Sequence, residues 1–98
     1  YCMEKIIELL EKFTEERNWR KYHTPKNLAI SMAIEAAELL EHFQWENPSF
    51  DEVKNKEEVA DEVADIMIYA ILFMNYMGKH VEDVIMKKIK KNAKKYPA

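Results

Sequence analysis

At 98 residues the chain has room for one domain and one modest core. A single glycine in a composition that is 48% apolar excludes turn-rich β folds and predicts helices with few breaks. The net charge of −3 is uneven: residues 79–96 hold seven lysines against two acids, a charge of +5, which leaves −8 on the rest and argues against a nucleic-acid polymer as partner.

One cysteine, Cys2, cannot pair within the chain, and the first residues are charged by Glu4, unlike a signal peptide. The longest uncharged run, Ile66 to Gly78, falls short of the roughly 20 residues that cross a bilayer. A cytoplasmic location without membrane attachment is expected.

The first helix is predicted from about Met3 to Arg17. Met3, Ile6, Ile7, Leu10 and Phe13 recur at helical spacing, with Glu4, Glu8, Glu11 and Lys12 opposite. The loop Asn18 to His23 is aromatic for a spacer; Trp19 and Tyr22 either cap the core or face a ligand.

Thr24-Pro25 reads as an N-cap followed by proline at the first helical position, so a second helix starts there and is predicted to reach about Trp45. Leu28, Met32, Ala36, Leu39 and Phe43 form one stripe. Ser31, Glu35, Glu38 and His42 form the next, with Asn27 alongside.

Ser49-x-x-Glu52 reads as a capping box opening a third helix, which Gly78 stops after about Met77. The second half of that helix, Ile66 to Met74, is apolar all round. A chain this small needs another subunit to bury it. Glu58, Glu62, Asp65, Tyr69 and Tyr76 share one wedge of the same helix. The fourth helix, about His80 to Tyr96, carries Val81, Val84, Ile85 and Ile89 on its apolar face. Its lysines gather at the C-terminal end, where the helix dipole favours cations.

Two motifs stand out. Glu35-x-x-Glu38 and Glu62-x-x-Asp65 each place two carboxylates on one helical face, with Cβ atoms about 5–6 Å apart. Like charges so close call for a counter-charge, and a short loop brings the two helices together as antiparallel neighbours. Four facing carboxylates suit Mg²⁺, with Mn²⁺ as substitute. Zinc is disfavoured because His42 is the one nitrogen or sulfur ligand at suitable spacing. A di-iron bundle is disfavoured because no Glu-x-x-His occurs. A divalent ion beside lysines points to phosphoanhydride hydrolysis.

The paired acidic motifs resemble the signature of the all-α nucleoside triphosphate pyrophosphohydrolases, the MazG-like group. Phe13-Thr14-Glu15-Glu16-Arg17-Asn18-Trp19, His23-Thr24-Pro25-Lys26-Asn27-Leu28, Glu41-His42-Phe43-Gln44-Trp45 and Asn92-Ala93-Lys94-Lys95-Tyr96-Pro97 are similar to its dCTP pyrophosphatase branch. The likeness runs from about Ile6 to Pro97. It implies cleavage of a nucleoside triphosphate to the monophosphate and pyrophosphate, with Mg²⁺ on Glu35, Glu38, Glu62 and Asp65. It also implies that Trp19 and Trp45 hold the base near Tyr69, and that Lys88 and Asn92 contact phosphate or sugar. Lys95 and Tyr96 of the closing motif join the substrate-binding set, and His23 or groups near Asn27 supply hydrogen bonds to the base edge. A homotetramer, a dimer of dimers with sites at subunit interfaces, is part of the same resemblance.

The expectation is therefore a single all-α domain over residues 1–98, a four-helix MazG-like chain whose bundle is completed by oligomerisation. Its expected activity is Mg²⁺-dependent hydrolysis of dCTP or a modified dCTP in nucleotide-pool sanitation. The alternatives are dUTP or broad nucleotide specificity, and a non-catalytic helical oligomer whose acids bind a structural ion.

Overall fold

The computed structural model describes residues 2–98. Four helices follow in order: α1 (Met3–Glu16), α2 (Pro25–Glu41), α3 (Lys56–Tyr76) and α4 (Val81–Lys95). Short 3-10 turns occupy Arg20–Tyr22 and Phe50–Glu52, and no strand occurs among the described residues. The all-α, four-helix expectation holds.

Local chemistry explains most boundaries. Asn18, at φ 55°, takes the left-handed conformation that asparagine tolerates better than most residues. The Asn18 amide then donates to the Glu15 carbonyl at 3.0 Å and the Trp19 amide to the Thr14 carbonyl at 2.9 Å. This pair of bonds ends α1 in a Schellman turn and folds Trp19 back over it. Thr24 caps α2 as expected, its hydroxyl accepting from the Asn27 amide at 3.1 Å, with Pro25 in the first turn. Gly78, at φ 74°, ends α3 by the same device: the Lys79 amide donates to the Met74 carbonyl at 3.1 Å.

Two expected boundaries are corrected. Helix α2 stops at Glu41 rather than near Trp45, because the amides of His42, Phe43 and Gln44 bond carbonyls three residues back and tighten the chain into a turn. Ser49 and Glu52 do not open α3. The Ser49 hydroxyl donates to the Glu52 carboxylate at 2.7 Å across the second 3-10 turn. Helix α3 begins at Lys56, after Asn55 in the left-handed conformation.

Most tertiary packing lies between α2 and α3, less between α1 and α3, and least between α3 and α4. The buried apolar set is small: Leu28, Ile71, Leu72 and Val81. Ile30, Ile34 and Leu40 of α2 and Val63 and Met67 of α3 are exposed in the single chain. The radius of gyration is 15.9 Å, against about 13 Å for a compact chain of this length. The accessible surface of 8251 Å² exceeds the roughly 5,900 Å² of a folded monomer of 11.7 kDa. The run Ile66 to Met74, apolar all round, is thus incompletely covered by its own chain, with Met67 54% exposed.

Candidate active site

The α2–α3 pair brings the two acidic motifs together. Glu35, Glu62 and Asp65 each offer a carboxylate oxygen, and the three oxygens lie within 4.8 Å of one another. Glu35 Oε2 and Glu62 Oε2 are fully buried and have no hydrogen-bond partner. A buried carboxylate oxygen without a donor is costly unless something positive meets it. Glu38, exposed on the next turn of α2, adds its charge to both.

The electrostatics follow from this crowding. Burial first, then the closeness and charge of Glu38, then the charges of Asp65 and Glu62, push the Glu35 carboxyl above its ordinary range. Burial first, then Glu38, with Asp65 adding to them, push Glu62 up, and His42 pulls the other way. The cluster holds more negative charge than it can neutralise from its own residues. An all-oxygen donor set with two orphaned oxygens fits a hard divalent cation such as Mg²⁺ or Mn²⁺.

Beside the cluster lies a largely apolar cavity of about 540 Å³. Ile6, Leu9, Leu10 and Phe13 of α1 form one wall, Ile68, Tyr69 and Leu72 of α3 another, and Trp19 and His23 close it from the loop. Asp65 borders this cavity as well as the acidic cluster. Trp19 is held edge-on against Phe13, ring centroids 5.3 Å apart, and the Arg17 guanidinium lies 3.6 Å from the Phe13 centroid. The Asn18 turn therefore sets one indole at the cavity's rim.

The other expected site residues fall elsewhere in the chain. Asn27 is exposed, and its side-chain amide donates to the Tyr22 carbonyl at 2.9 Å. Trp45 is 86% exposed and borders a separate cavity of about 200 Å³ with His42, Phe43 and Pro48. Lys88 lines a third, basic cleft between the end of α3 and α4, with Lys79, Lys87 and Lys91. Asn92 and Lys95 are exposed further along α4, and Tyr96 just past its end. Within one chain, then, Trp19, His23, Tyr69 and Asp65 share one cavity, whereas Trp45 and the α4 residues lie outside it.

Helical spacing put Phe13 on the apolar face of α1 but did not show that this face walls the cavity. The available signal was Asn18: a residue that accepts a left-handed conformation directly after a helix returns the chain over that helix. Sequence reasoning also missed Tyr76 as the partner of His23. Those residues are 53 apart in sequence, and no local signal joins them.

The family model described as MazG-like matches residues 30–98, a span that contains all four acids. This chain belongs to the MazG-like family. Among curated relatives, dCTP pyrophosphatase 1 of Bos taurus is 31% identical over 100 residues, and that of Rattus norvegicus 28%. The Homo sapiens protein is 28% identical over 101 residues. The matches take in 97–98% of this chain, which spans 59% of the length of those relatives. A solved pyrophosphatase from Archaeoglobus fulgidus DSM 4304 superposes with a TM-score of 0.90 and 41% identity, covering 100% of this chain and 94% of that one. The MazG-like chain described here thus shares its whole fold with a compact pyrophosphatase of similar length. No helix among its described residues is long and apolar enough to cross a membrane.

Proposed function

We propose that the chain is a Mg²⁺-dependent nucleoside triphosphate pyrophosphohydrolase, splitting a (d)NTP and water into the (d)NMP and pyrophosphate. One observation carries this reading: Asp65 belongs to the acidic cluster and also borders the aromatic, apolar cavity. A polyphosphate bound at the acids would thereby have its nucleoside end beside Trp19, His23 and Tyr69. The names of the similar proteins, dCTP pyrophosphatase and pyrophosphatase, support the same reaction. They make dCTP or a modified dCTP the first substrate to test and nucleotide-pool sanitation the fitting role.

Glu35, Glu62 and Asp65, with Glu38, would hold the divalent ion. Bound there, it would supply Lewis-acid polarisation of the phosphoryl group and a more acidic water. The acids concentrate negative charge at one point, so a free anion is repelled and a metal-complexed triphosphate is accepted. Trp19 and Tyr69 offer planar faces to the base, and stacking of this kind contributes about 1–3 kcal/mol per base. Stacking tolerates any base, so choice would rest on hydrogen bonds to its edge, with His23 one of the polar groups that line the cavity. Water attacks the α-phosphorus and the bond to the bridging oxygen breaks, with pyrophosphate as leaving group.

We also propose that the working unit is a homo-oligomer, a tetramer built as a dimer of dimers. Its surface exceeds that of a compact monomer by roughly 2,400 Å² per chain, the scale that obligate subunit interfaces cover. The exposed Ile30, Ile34, Leu40, Val63 and Met67 supply the apolar patches. A second chain would bring Trp45, Lys88, Asn92, Lys95 and Tyr96 toward the base and phosphates of a neighbouring site.

The test is turnover of a nucleotide panel with and without Mg²⁺, pyrophosphate and phosphate being measured separately. Mg²⁺-dependent pyrophosphate release with the monophosphate supports the reading. No turnover of any nucleotide, with Mg²⁺ raising only the melting temperature, favours a structural ion in a non-catalytic oligomer.

A further inference from the structure

His23 lines the cavity beside Trp19, Tyr69 and Asp65, but one of its ring nitrogens is already engaged. Nδ1 lies 3.0 Å from the hydroxyl oxygen of Tyr76, the last residue of α3. Tyr76 itself is outside this cavity, lining a neighbouring cleft with Arg20, Glu11 and Asn75. The Arg20 guanidinium carbon sits 3.7 Å from the centroid of the Tyr76 ring. The side chains thus form a chain of contacts from Arg20 through Tyr76 to His23, ending at the cavity.

The tautomer of His23 sets the direction of the Tyr76–His23 hydrogen bond, and the chemistry of the two groups favours one direction. A neutral imidazole has one donor and one acceptor nitrogen, and the group bonded to one nitrogen sets the role of the other. Burial and the nearby Arg20 charge both hold His23 below its ordinary pKa, which keeps the ring neutral near pH 7. A phenol is a better hydrogen-bond donor than acceptor, and an unprotonated imidazole nitrogen is a good acceptor. Donation from the Tyr76 O–H to Nδ1 would place the imidazole proton on Nε2, the other ring nitrogen.

We propose that Tyr76 is a positioning residue that fixes His23 as the Nε2–H tautomer, so that the cavity wall offers a hydrogen-bond donor to the base. This rests on the nucleotide reading above and adds a substrate rule to it. A base that turns a carbonyl oxygen or an unprotonated ring nitrogen to His23, as the O2/N3 edge of cytosine does, is accepted. A base that turns an N–H there meets donor against donor and is disfavoured.

The experiment has two arms. In the first, nitrogen-15 shifts of His23 are recorded near pH 7 on the full chain without nucleotide or metal. The wild type is expected to show a protonated Nε2 and an unprotonated Nδ1. Tyr76→Phe, which keeps a ring under Arg20, is expected to move both shifts toward a tautomer mixture. In the second, Tyr76→Phe is expected to raise KM for the preferred nucleotide roughly three- to tenfold, the size of one lost hydrogen bond, with kcat within about twofold. The KM ratio between cytosine and uracil nucleotides is expected to narrow. A proton on Nδ1 in the wild type overturns the proposal without need of any variant. So do unchanged His23 shifts and an unchanged KM ratio in Tyr76→Phe. A wild type that turns over no nucleotide overturns the nucleotide reading instead, and with it the substrate rule, while the shifts still decide the tautomer.

Discussion

Glu35 and Glu62 lie on different helices, and each buries one carboxylate oxygen that no protein donor reaches. Both belong to groups that crowd the same point with Asp65 and Glu38. If a divalent ion is what they are held for, Glu38→Gln and Asp65→Asn will lower turnover by orders of magnitude and blunt the rise in melting temperature that Mg²⁺ gives the parent. Activity within about threefold of the parent, under 1 kcal/mol in the barrier, would remove the substituted residue from the catalytic set. The metal-free variants are expected to be no less stable than the parent, because each relieves like-charge repulsion.

The raised carboxyls also set a pH dependence. In the folded chain Glu35 and Glu62 keep their protons to higher pH than in the unfolded chain. Between the ordinary glutamate value and the raised one, the folded state binds more protons, so stability falls as pH rises through that window. Below it both states are protonated and the cost is absent; above it the cost is fully present. The melting temperature of the metal-free protein is expected to rise as pH is lowered through that window toward the ordinary glutamate range. Glu35→Gln should flatten that rise, and saturating Mg²⁺ should abolish the cost above the window. An identical slope in parent and variant would show that the crowding has no energetic weight.

The assembly prediction rests on surface. Four buried apolar side chains make a thin core for 98 residues, while Met67 is 54% and Ile34 53% exposed. Light scattering at micromolar concentration is expected to give a multiple of 11.7 kDa, with four chains the first choice. Ile34→Lys and Met67→Lys place charges on the patches and are expected to shift the mass downward. A parent mass near that of one chain would refute the shared site and leave Lys88 and Asn92 without a neighbour to reach.

The two tryptophans make separable predictions. Trp19, 43% exposed and packed on Phe13, borders the cavity of its own chain. Trp19→Ala is expected to raise KM for every nucleotide roughly ten- to a hundredfold, and Trp19→Phe to recover much of the loss. Trp45, 86% exposed, has little folding role in one chain. Trp45→Ala is expected to leave the monomer fold intact and to raise KM if its indole serves a neighbouring site. Unchanged KM in Trp45→Ala would assign that residue to the rim.

What could be read in the sequence divides along physical lines. Local chemistry was legible: Thr24-Pro25 starts α2, Gly78 stops α3, and the acidic repeats fall on facing helices. Signals that two structures share were not. Ser49-x-x-Glu52 has the spacing of a capping box, but its hydroxyl bonds the glutamate side chain within a 3-10 turn. No glycine or proline marks the end of α2 before Pro48, so the tightening at His42 was invisible. The cavity depends on α1 docking to α3 and on a loop folding back, and the His23–Tyr76 bond depends on both. Such long-range placement is decided by packing, which periodicity cannot report.

Hydrolysis at the α-phosphate is tested most directly with an isotope. The chain is incubated with dCTP and Mg²⁺ in water enriched in oxygen-18, and the products are separated and weighed by mass spectrometry. One heavy oxygen is expected in the phosphate of dCMP and none in the pyrophosphate. Heavy oxygen in pyrophosphate, or release of dCDP with labelled phosphate, would contradict hydrolysis at the α-phosphate.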